Sequence, residues 1–191
     1  MSTQATSPQR PSPSGSGRAI RGRVTVELRG PDGRLVTRRR ANNTVMRTGA
    51  ELLGDLLRGD AGAIDGFAVG LDGEPSAPPY ESTGLTTTTP GGDPLLENAV
   101  APIATDQFEV ETLAAEFLVR VRVRGVLAAG QAVSPDPDEN TVFLGEAALG
   151  VLSEDQASLA RIYNRVVFEP IPKSRDHELS LYWELDFPYG P

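Results

Sequence analysis

Short stretches in which apolar and polar residues alternate recur along the chain, and this period of two is the pattern of half-buried β-strands. In the first stretch, residues 20–28, aliphatic side chains fall on one face and polar and charged side chains on the other. Pro31-Asp32-Gly33 has turn chemistry, because proline fixes φ and glycine accepts a positive φ. Residues 34–40 follow as a return strand, so the pattern predicts a β-hairpin at the start of the fold.

One segment follows the helical period instead. Residues 44–58 carry apolar side chains at helical spacing, namely Val45, Met46, Leu52, Leu53, Leu56 and Leu57. Asn43 or Thr44 is placed to cap the first turn, and Gly59 is placed to end the last turn in the left-handed conformation. The spacing therefore predicts a single α-helix over residues 44–58.

Strand patterns dominate the rest of the chain. Alternation of arginine with apolar residues over 117–124 predicts one strand, and residues 64–71 and 141–149 predict two others. The last two patterns, at 158–168 and 178–187, are expected to pair with each other as a hairpin. Strands separated by turns, together with one helix, predict a mainly β fold, an antiparallel β-sandwich.

The composition divides the chain into an arm and one domain. Residues 1–18 hold too few apolar side chains to offset the entropy of ordering, so they are predicted to be a disordered N-terminal arm. Residues 19–191 are expected to form a single β-sandwich-like domain, since this length suits one core. Within it, residues 72–101 are predicted to be a long loop, rich in proline, threonine and glycine, that neighbouring subunits order.

The charge is distributed unevenly along the chain, whose net charge is −8. Residues 1–40 carry nine arginines and two acids, a net charge of +7, whereas residues 41–191 carry nine basic and 24 acidic side chains, a net charge of −15. Either these charges form a solvated surface, or the basic end binds the acidic body of a neighbouring copy or partner. Nucleic acid is not an expected partner, because the acidic body repels phosphate and the arm has no aromatic residues among its arginines.

Several classes of chemistry require residues that this sequence lacks. There is no cysteine, which excludes disulfides, thiolate nucleophiles, thiolate metal sites and iron–sulfur clusters. No apolar run reaches the roughly 18 residues of a membrane span, so membrane insertion is not expected. The first residues have no apolar stretch behind a basic start, so we expect synthesis and folding in the cytoplasm rather than secretion.

Candidate catalytic and metal-binding residues are few. The single histidine, His177, stands beside Asp176, but no Gly-x-Ser-x-Gly turn presents a serine nucleophile to it. The loop over 134–140 offers oxygen ligands for calcium, namely Asp136, Asp138, Glu139 and Asn140. Its spacing does not match the twelve-residue calcium loop, and its prolines favour a plain surface loop. The sequence therefore predicts a protein that is not an enzyme, with no catalytic, cofactor-binding or metal-binding residues.

Two arginine clusters remain as candidate binding surfaces. Arg38-Arg39-Arg40 ends the predicted return strand, and Arg120, Arg122 and Arg124 form a stripe along one face of a later strand. A row of arginines along one strand face requires either carboxylate partners or contact with solvent. One interpretation is a solvent-exposed face whose arginines pair with acids across strands. The other is a contact between subunits.

The order of several motifs gives a further indication. The hairpin is followed by Asn43-Thr-Val-Met-Arg-Thr-Gly49, Phe67-Ala-Val-Gly-Leu-Asp-Gly73, Thr83-Gly-Leu85, Leu144-Gly-Glu-Ala-Ala-Leu149, the stretch from Leu159 to Lys173, and Leu181-Tyr-Trp-Glu-Leu-Asp-Phe187. In this order, residues 20–187 resemble small structural proteins of tailed phages and of phage-tail-like contractile injection systems. The resemblance implies a part associated with a tail, baseplate or fibre, and it carries over no catalytic residue.

The function expected from these observations is that of a structural or adaptor component. Such a chain would bind neighbouring subunits through its arm and loop, form a homo-oligomer, and reside in a virion or phage-tail-like particle after synthesis in the bacterial cytoplasm. The alternative is a β-sandwich binding module for carbohydrate or another cell-surface ligand. Such modules commonly offer an exposed aromatic ring, whereas Trp183 is expected in the core, which leaves mainly Tyr80 and Tyr189 in the loops.

Overall fold

The computed structural model describes residues 20–60, 62–71, 79–81, 84–89 and 92–190, and the predicted arm, residues 1–18, lies outside them. The strands are β1 Arg21–Arg29, β2 Leu35–Asn42, β3 Thr44–Val45, β4 Gly66–Leu71, β5 Val100–Pro102, β6 Phe108–Leu113, β7 Leu118–Leu127, β8 Thr141–Leu152, β9 Leu159–Ser174 and β10 Glu178–Pro188. The one α-helix of the described residues, α1, spans Arg47–Arg58. Short 3-10 turns lie at Pro79–Glu81, Thr105–Gln107 and Ala114–Glu116.

The strands form two five-stranded sheets in which neighbouring strands are antiparallel. Sheet I has the order β2-β1-β10-β7-β6, and sheet II has the order β3-β9-β8-β4-β5. The apolar faces of the two sheets meet in one core. The predicted fold class, a mainly β antiparallel sandwich with one helix, is confirmed.

The centre of the core joins the two sheets through an aromatic pair. Trp183 of sheet I is 1% exposed, and its ring meets that of Phe67 in sheet II edge to face, with centroids 5.7 Å apart. Leu179, Leu181 and Leu185 lie on the same buried face of β10. The predicted inward face of the last strand is therefore confirmed, and Trp183 is not available to a ligand at the surface.

The expected hairpin between the last two strands is wrong. Strand β9 pairs with β8 in sheet II, whereas β10 pairs with β1 and β7 in sheet I. The chain therefore crosses from one sheet to the other at residues 175–177. Both strands have one strongly apolar face, and stacking those faces across the core buries them as effectively as placing the strands side by side.

The predicted helix is correct at its end and wrong at its start. Gly59 has a φ of 77° and terminates α1 as expected. Thr44 and Val45, however, form strand β3 against β9, and Met46 continues this pairing by donating its N–H to the carbonyl of Tyr163 at 3.0 Å. Neither Asn43 nor Thr44 caps the helix, because the backbone before it is already hydrogen-bonded to a neighbouring strand.

The predicted loop at 72–101 is partly held by the chain itself. Leu96, Ala99 and Ala101 are buried in the core, and the N–H of Val69 binds the carbonyl of Ala99 at 2.9 Å. The expectation that neighbouring subunits order this segment is therefore wrong for residues 84–89 and 92–101. Residues 72–78, 82–83 and 90–91 lie outside the described residues.

Candidate functional site

The outer face of sheet I is covered by rows of charged side chains that cross the strands and alternate in sign. One row is Arg21, Asp186, Arg120 and Glu111, and the next is Arg23, Glu184, Arg122 and Glu109. The sequence produces these rows because each strand alternates, placing apolar residues in the core and charged residues outside. The register then sets opposite charges side by side.

Arg120 and Arg122 stand at the centre of these rows. The guanidinium of Arg120 donates to both carboxylate oxygens of Asp186, at 2.7 and 3.1 Å. Arg122 lies 3.0 Å from Glu111 and 3.4 Å from Glu109. The cross-strand pairing predicted for the arginine stripe is confirmed at these two positions, and the hydrogen bond from Arg120 lowers the pKa of the Asp186 carboxyl.

The third arginine of the stripe has a different neighbour. The guanidinium carbon of Arg124 lies 5.9 Å from the centroid of the Tyr182 ring, which is a cation–π geometry. Both side chains border a groove of about 560 Å³ that also includes Arg23, Thr25, Phe108 and Glu184. An aromatic ring beside polar groups on a sheet face is a possible ligand surface, and the sequence patterns gave no sign of it.

The two edges of sheet I carry opposite charges. On β2, which we call the basic edge, Arg38 donates to Glu27 at 2.9 Å and Arg39 lies 2.9 Å from Glu169, while Arg40 is exposed. On β6, which we call the acidic edge, the side chains of Glu109 and Glu111 are 68% and 41% exposed. The Arg38-Arg39-Arg40 cluster is thus only partly neutralised by the chain's own acids.

His177 has the partners of a catalytic triad but not its geometry. Ser174 and Asp176 both approach the same ring nitrogen of His177, Nδ1, and Ser174 also donates to Asp176. A triad requires the serine at one ring nitrogen and the carboxylate at the other, so that the histidine can move the serine proton. These three residues instead close the turn that carries the chain from β9 to β10.

The acidic loop at 134–140 uses its oxygens internally. Asp136 accepts the N–H of Asp138 at 2.9 Å, and Glu139 accepts the hydroxyl of Ser134 at 2.6 Å. Arg175 then donates to the carbonyls of Ser134 and Asp136 at 2.7 and 3.0 Å. Among the described residues there is no cluster of three or more His, Cys, Asp or Glu side chains that could hold a metal ion.

Two fully buried charged groups, each 0% exposed, were not predicted. Glu146 is fully buried and accepts hydrogen bonds from Arg165, at 2.7 Å, and from the backbone of Thr86. Lys173 is also fully buried, opposite Val142, and its amine has only a 3.4 Å contact with the carbonyl of Ser174. An ionisable residue inside a long apolar strand pattern is the signal that could have identified both.

Burial lowers the pKa of Lys173 to about 8, from an ordinary value of 10.5. Between these values the unfolded chain binds a proton that the folded chain does not, so the free energy of unfolding should rise with pH from about 8 to 10.5. We expect Lys173→Met to remove most of this rise and to stabilise the fold at pH 7 by on the order of 2 kcal/mol.

Chemical denaturation between pH 7 and pH 10 measures this effect, with Arg34→Met as the control because the Arg34 side chain is 87% exposed. The control should follow the pH dependence of the unsubstituted chain. Equal pH dependence in Lys173→Met and in the unsubstituted chain would contradict the assignment to Lys173.

A second cavity, of about 420 Å³, lies on the outer face of sheet II. Its polar lining comes mainly from Thr87, Thr88, Asn98, Gln156 and Ser158. Asn98 and Gln156 have positive φ values of 52° and 57°. Neither His177 nor Lys173 lines this cavity or the groove on sheet I.

Comparison with known proteins gives no relative for this chain, since no family model, curated protein or solved structure matches it. The resemblance to structural proteins of phages and contractile injection systems therefore stays a prediction from the sequence motifs. No helix of the described residues is long and apolar enough to cross a membrane.

Proposed function

We propose that this chain is a non-enzymatic structural or adaptor subunit of a virion or phage-tail-like particle, which binds neighbouring subunits of the same assembly. The order of motifs between residues 20 and 187 supports the type of particle. In this proposal the chain is made in the bacterial cytoplasm and becomes part of the particle there, and the arm of residues 1–18 contributes to the contacts.

The open edges of sheet I are the observation that carries this proposal. Strands β2 and β6 have eight and six residues, and no other described strand pairs with their outer sides. Sheet II ends in strands of only two and three residues, so residues 166–174 of β9 also lack a described strand partner on that side. A long open edge presents a row of backbone N–H and C=O groups to which a further strand can add. Single soluble domains usually avoid such edges, whereas subunits of assemblies use them.

Static light scattering of the purified chain tests the proposal, with and without residues 1–18. We expect oligomers whose mean mass falls as salt rises from about 0.05 to 0.5 M, because exposed charge contacts weaken as the Debye length shortens. Removal of the arm, which holds Arg10 and Arg18, should lower the mean mass at low salt. A monomer at every salt concentration, with and without the arm, would contradict the proposal.

The second candidate is a module that binds carbohydrate or another cell-surface ligand. The groove on sheet I favours it, because Tyr182 places an aromatic ring among the polar side chains of Arg124 and Thr25. A salt-insensitive monomer in the light-scattering experiment would favour this candidate over an assembly subunit.

A further inference from the structure

Followed from β1 to β6, the two rows of charged side chains on sheet I begin with an arginine and end with a glutamate. On the outer face around β2, Arg29 and Arg38 both donate to the carboxylate of Glu27, and Arg40 lies opposite the uncharged Thr25. Around β6, the carboxylates of Glu109 and Glu111 share one cation, Arg122. The outer face therefore has surplus positive charge at one edge and surplus negative charge at the other.

We propose that the acidic edge of one copy pairs with the basic edge of a second copy, so that β6 and β2 join and sheet I continues from subunit to subunit. This inference rests on the proposed role as an assembly subunit and specifies the contact. The partner is a second copy of this chain, because its two edges are opposite in charge and are both open strands, of eight and six residues.

Charge determines which edges can meet. Two copies joined through the same edge, β6 to β6 or β2 to β2, would set like charges side by side, which is unfavourable. Only the joining of unlike edges sets a glutamate of β6 against an arginine of β2. Such a head-to-tail contact uses two different surfaces, so it leads to closed rings or to filaments rather than to a symmetric dimer.

The strand directions fit this arrangement. Four antiparallel steps separate β2 from β6 in sheet I, so these two edge strands run in the same direction. A second copy in the same orientation therefore presents β2 parallel to β6. This orientation also keeps the charged face of every copy on one side of the extended sheet and the core on the other.

The register follows from the rows. Across one sheet, Asn42 lies in the row that ends at Glu109. Sliding the second copy by two residues, about 7 Å along the strands, places its Arg40 beside Glu109 and its Asn42 beside Glu111. An even displacement keeps outward-facing residues outward, and strand tilt in a closed ring produces a stagger of this kind.

Protection of the edges alone does not account for this pattern. Charged residues on edge strands commonly prevent unwanted pairing between sheets. Charges of the same sign on both edges would block every such pairing. Opposite signs block only the pairings of like edges and favour the pairing of β2 with β6.

Charge reversal at one residue of each edge tests the inference in the full-length chain. Arg40→Glu removes the surplus positive charge of the basic edge and sets a glutamate against Glu109 of the next copy, and Glu109→Arg gives the acidic edge a surplus of positive charge. We expect each variant alone to associate about tenfold more weakly or worse than the unsubstituted chain in sedimentation velocity. An equimolar mixture of the two variants should recover association, as should the double variant Arg40→Glu/Glu109→Arg.

A matched control separates the edge from charge in general. Glu51→Arg makes the same change on helix α1, where Glu51 is 52% exposed and paired with Arg47, as Glu109 is paired with Arg122. This control should associate like the unsubstituted chain. Thermal unfolding of every variant establishes that weaker association does not come from loss of the fold.

The absence of cysteine from the sequence allows a direct test of the register. Positions 40 and 109 lie four strand spacings apart in one chain, about 19 Å, which is too far for a disulfide within the chain. The double variant Arg40→Cys/Glu109→Cys should therefore form a ladder of disulfide-linked multimers on mild oxidation. Each single cysteine variant should form no species larger than a dimer.

The outcomes separate this inference from the proposed function. Oligomers that survive both charge reversals and give no disulfide ladder would overturn the edge contact while leaving the assembly role in place. A chain that remains monomeric under all conditions would overturn both. Weak single variants, recovery in the mixture and a disulfide ladder together support the β6-to-β2 contact.

Discussion

Gly49→Ala is expected to lower the free energy of unfolding by about 3 kcal/mol or more, a large share of the stability of a small domain. A Cβ at residue 49 would lie 1.9 Å from the carbonyl oxygen of Tyr163, which belongs to the backbone of β9. Helix α1 would have to move away, which breaks the hydrogen bonds from Met46 to Tyr163 and from Thr48 to Ile162, at 3.0 and 2.8 Å. Equilibrium denaturation in urea measures the loss.

The same helix supplies the control for this substitution. Gly54 is exposed on α1, and a Cβ there would meet no atom within 4 Å. Gly54→Ala should therefore raise stability by about 0.5–1 kcal/mol, because alanine loses less backbone entropy than glycine in a helix. Equal denaturation midpoints for the two alanine variants would show that α1 does not pack on β9 as closely as the structure has it.

The local sequence pattern was sufficient to predict those features of the fold that depend on a single strand or turn. Period-two alternation located the inward faces of β1, β7 and β10, and Gly59 marked the end of α1 because few other residues accept a positive φ. The short edge strands were missed, since β3 and β5 have only two and three residues and take their strand geometry from β9 and β4. No local pattern encodes a partner that is distant in sequence.

The candidate site was likewise predictable only where it depends on one strand. The arginine stripe on β7 predicted cross-strand pairs, but the identity of the acids depended on register. Asp186 and Glu109 face Arg120 and Arg122 only because β10 and β6 flank β7. The contrast between a basic edge and an acidic edge needed the strand order as well, since β2 and β6 are separated by the whole width of sheet I.

One buried ion pair, between Glu146 and Arg165, also contacts the segment of residues 84–89. Glu146 lies on β8, fully buried, and Arg165 lies on the adjacent strand β9, 6% exposed. The second carboxylate oxygen of Glu146 accepts the N–H of Thr86, in the segment that was expected to depend on neighbouring subunits. The ion pair therefore stabilises that segment from within the same chain.

Arg165→Met should destabilise the fold by about 3–5 kcal/mol, because it leaves the carboxylate of Glu146 buried without its countercharge. The double variant Glu146→Gln/Arg165→Met should recover much of this loss, since glutamine removes the charge and still offers an oxygen to the backbone of Thr86.

Arg47→Met is the control for this substitution. It breaks a pair with Glu51 in which both side chains are more than half exposed, and it should cost no more than about 0.5 kcal/mol. Urea denaturation of the unsubstituted chain, Glu146→Gln, Arg165→Met and the double variant gives the coupling free energy between residues 146 and 165. Similar losses for Arg165→Met and Arg47→Met would mean that water reaches the Glu146 carboxylate, and that the 84–89 segment is held more loosely than its hydrogen bond to Glu146 indicates.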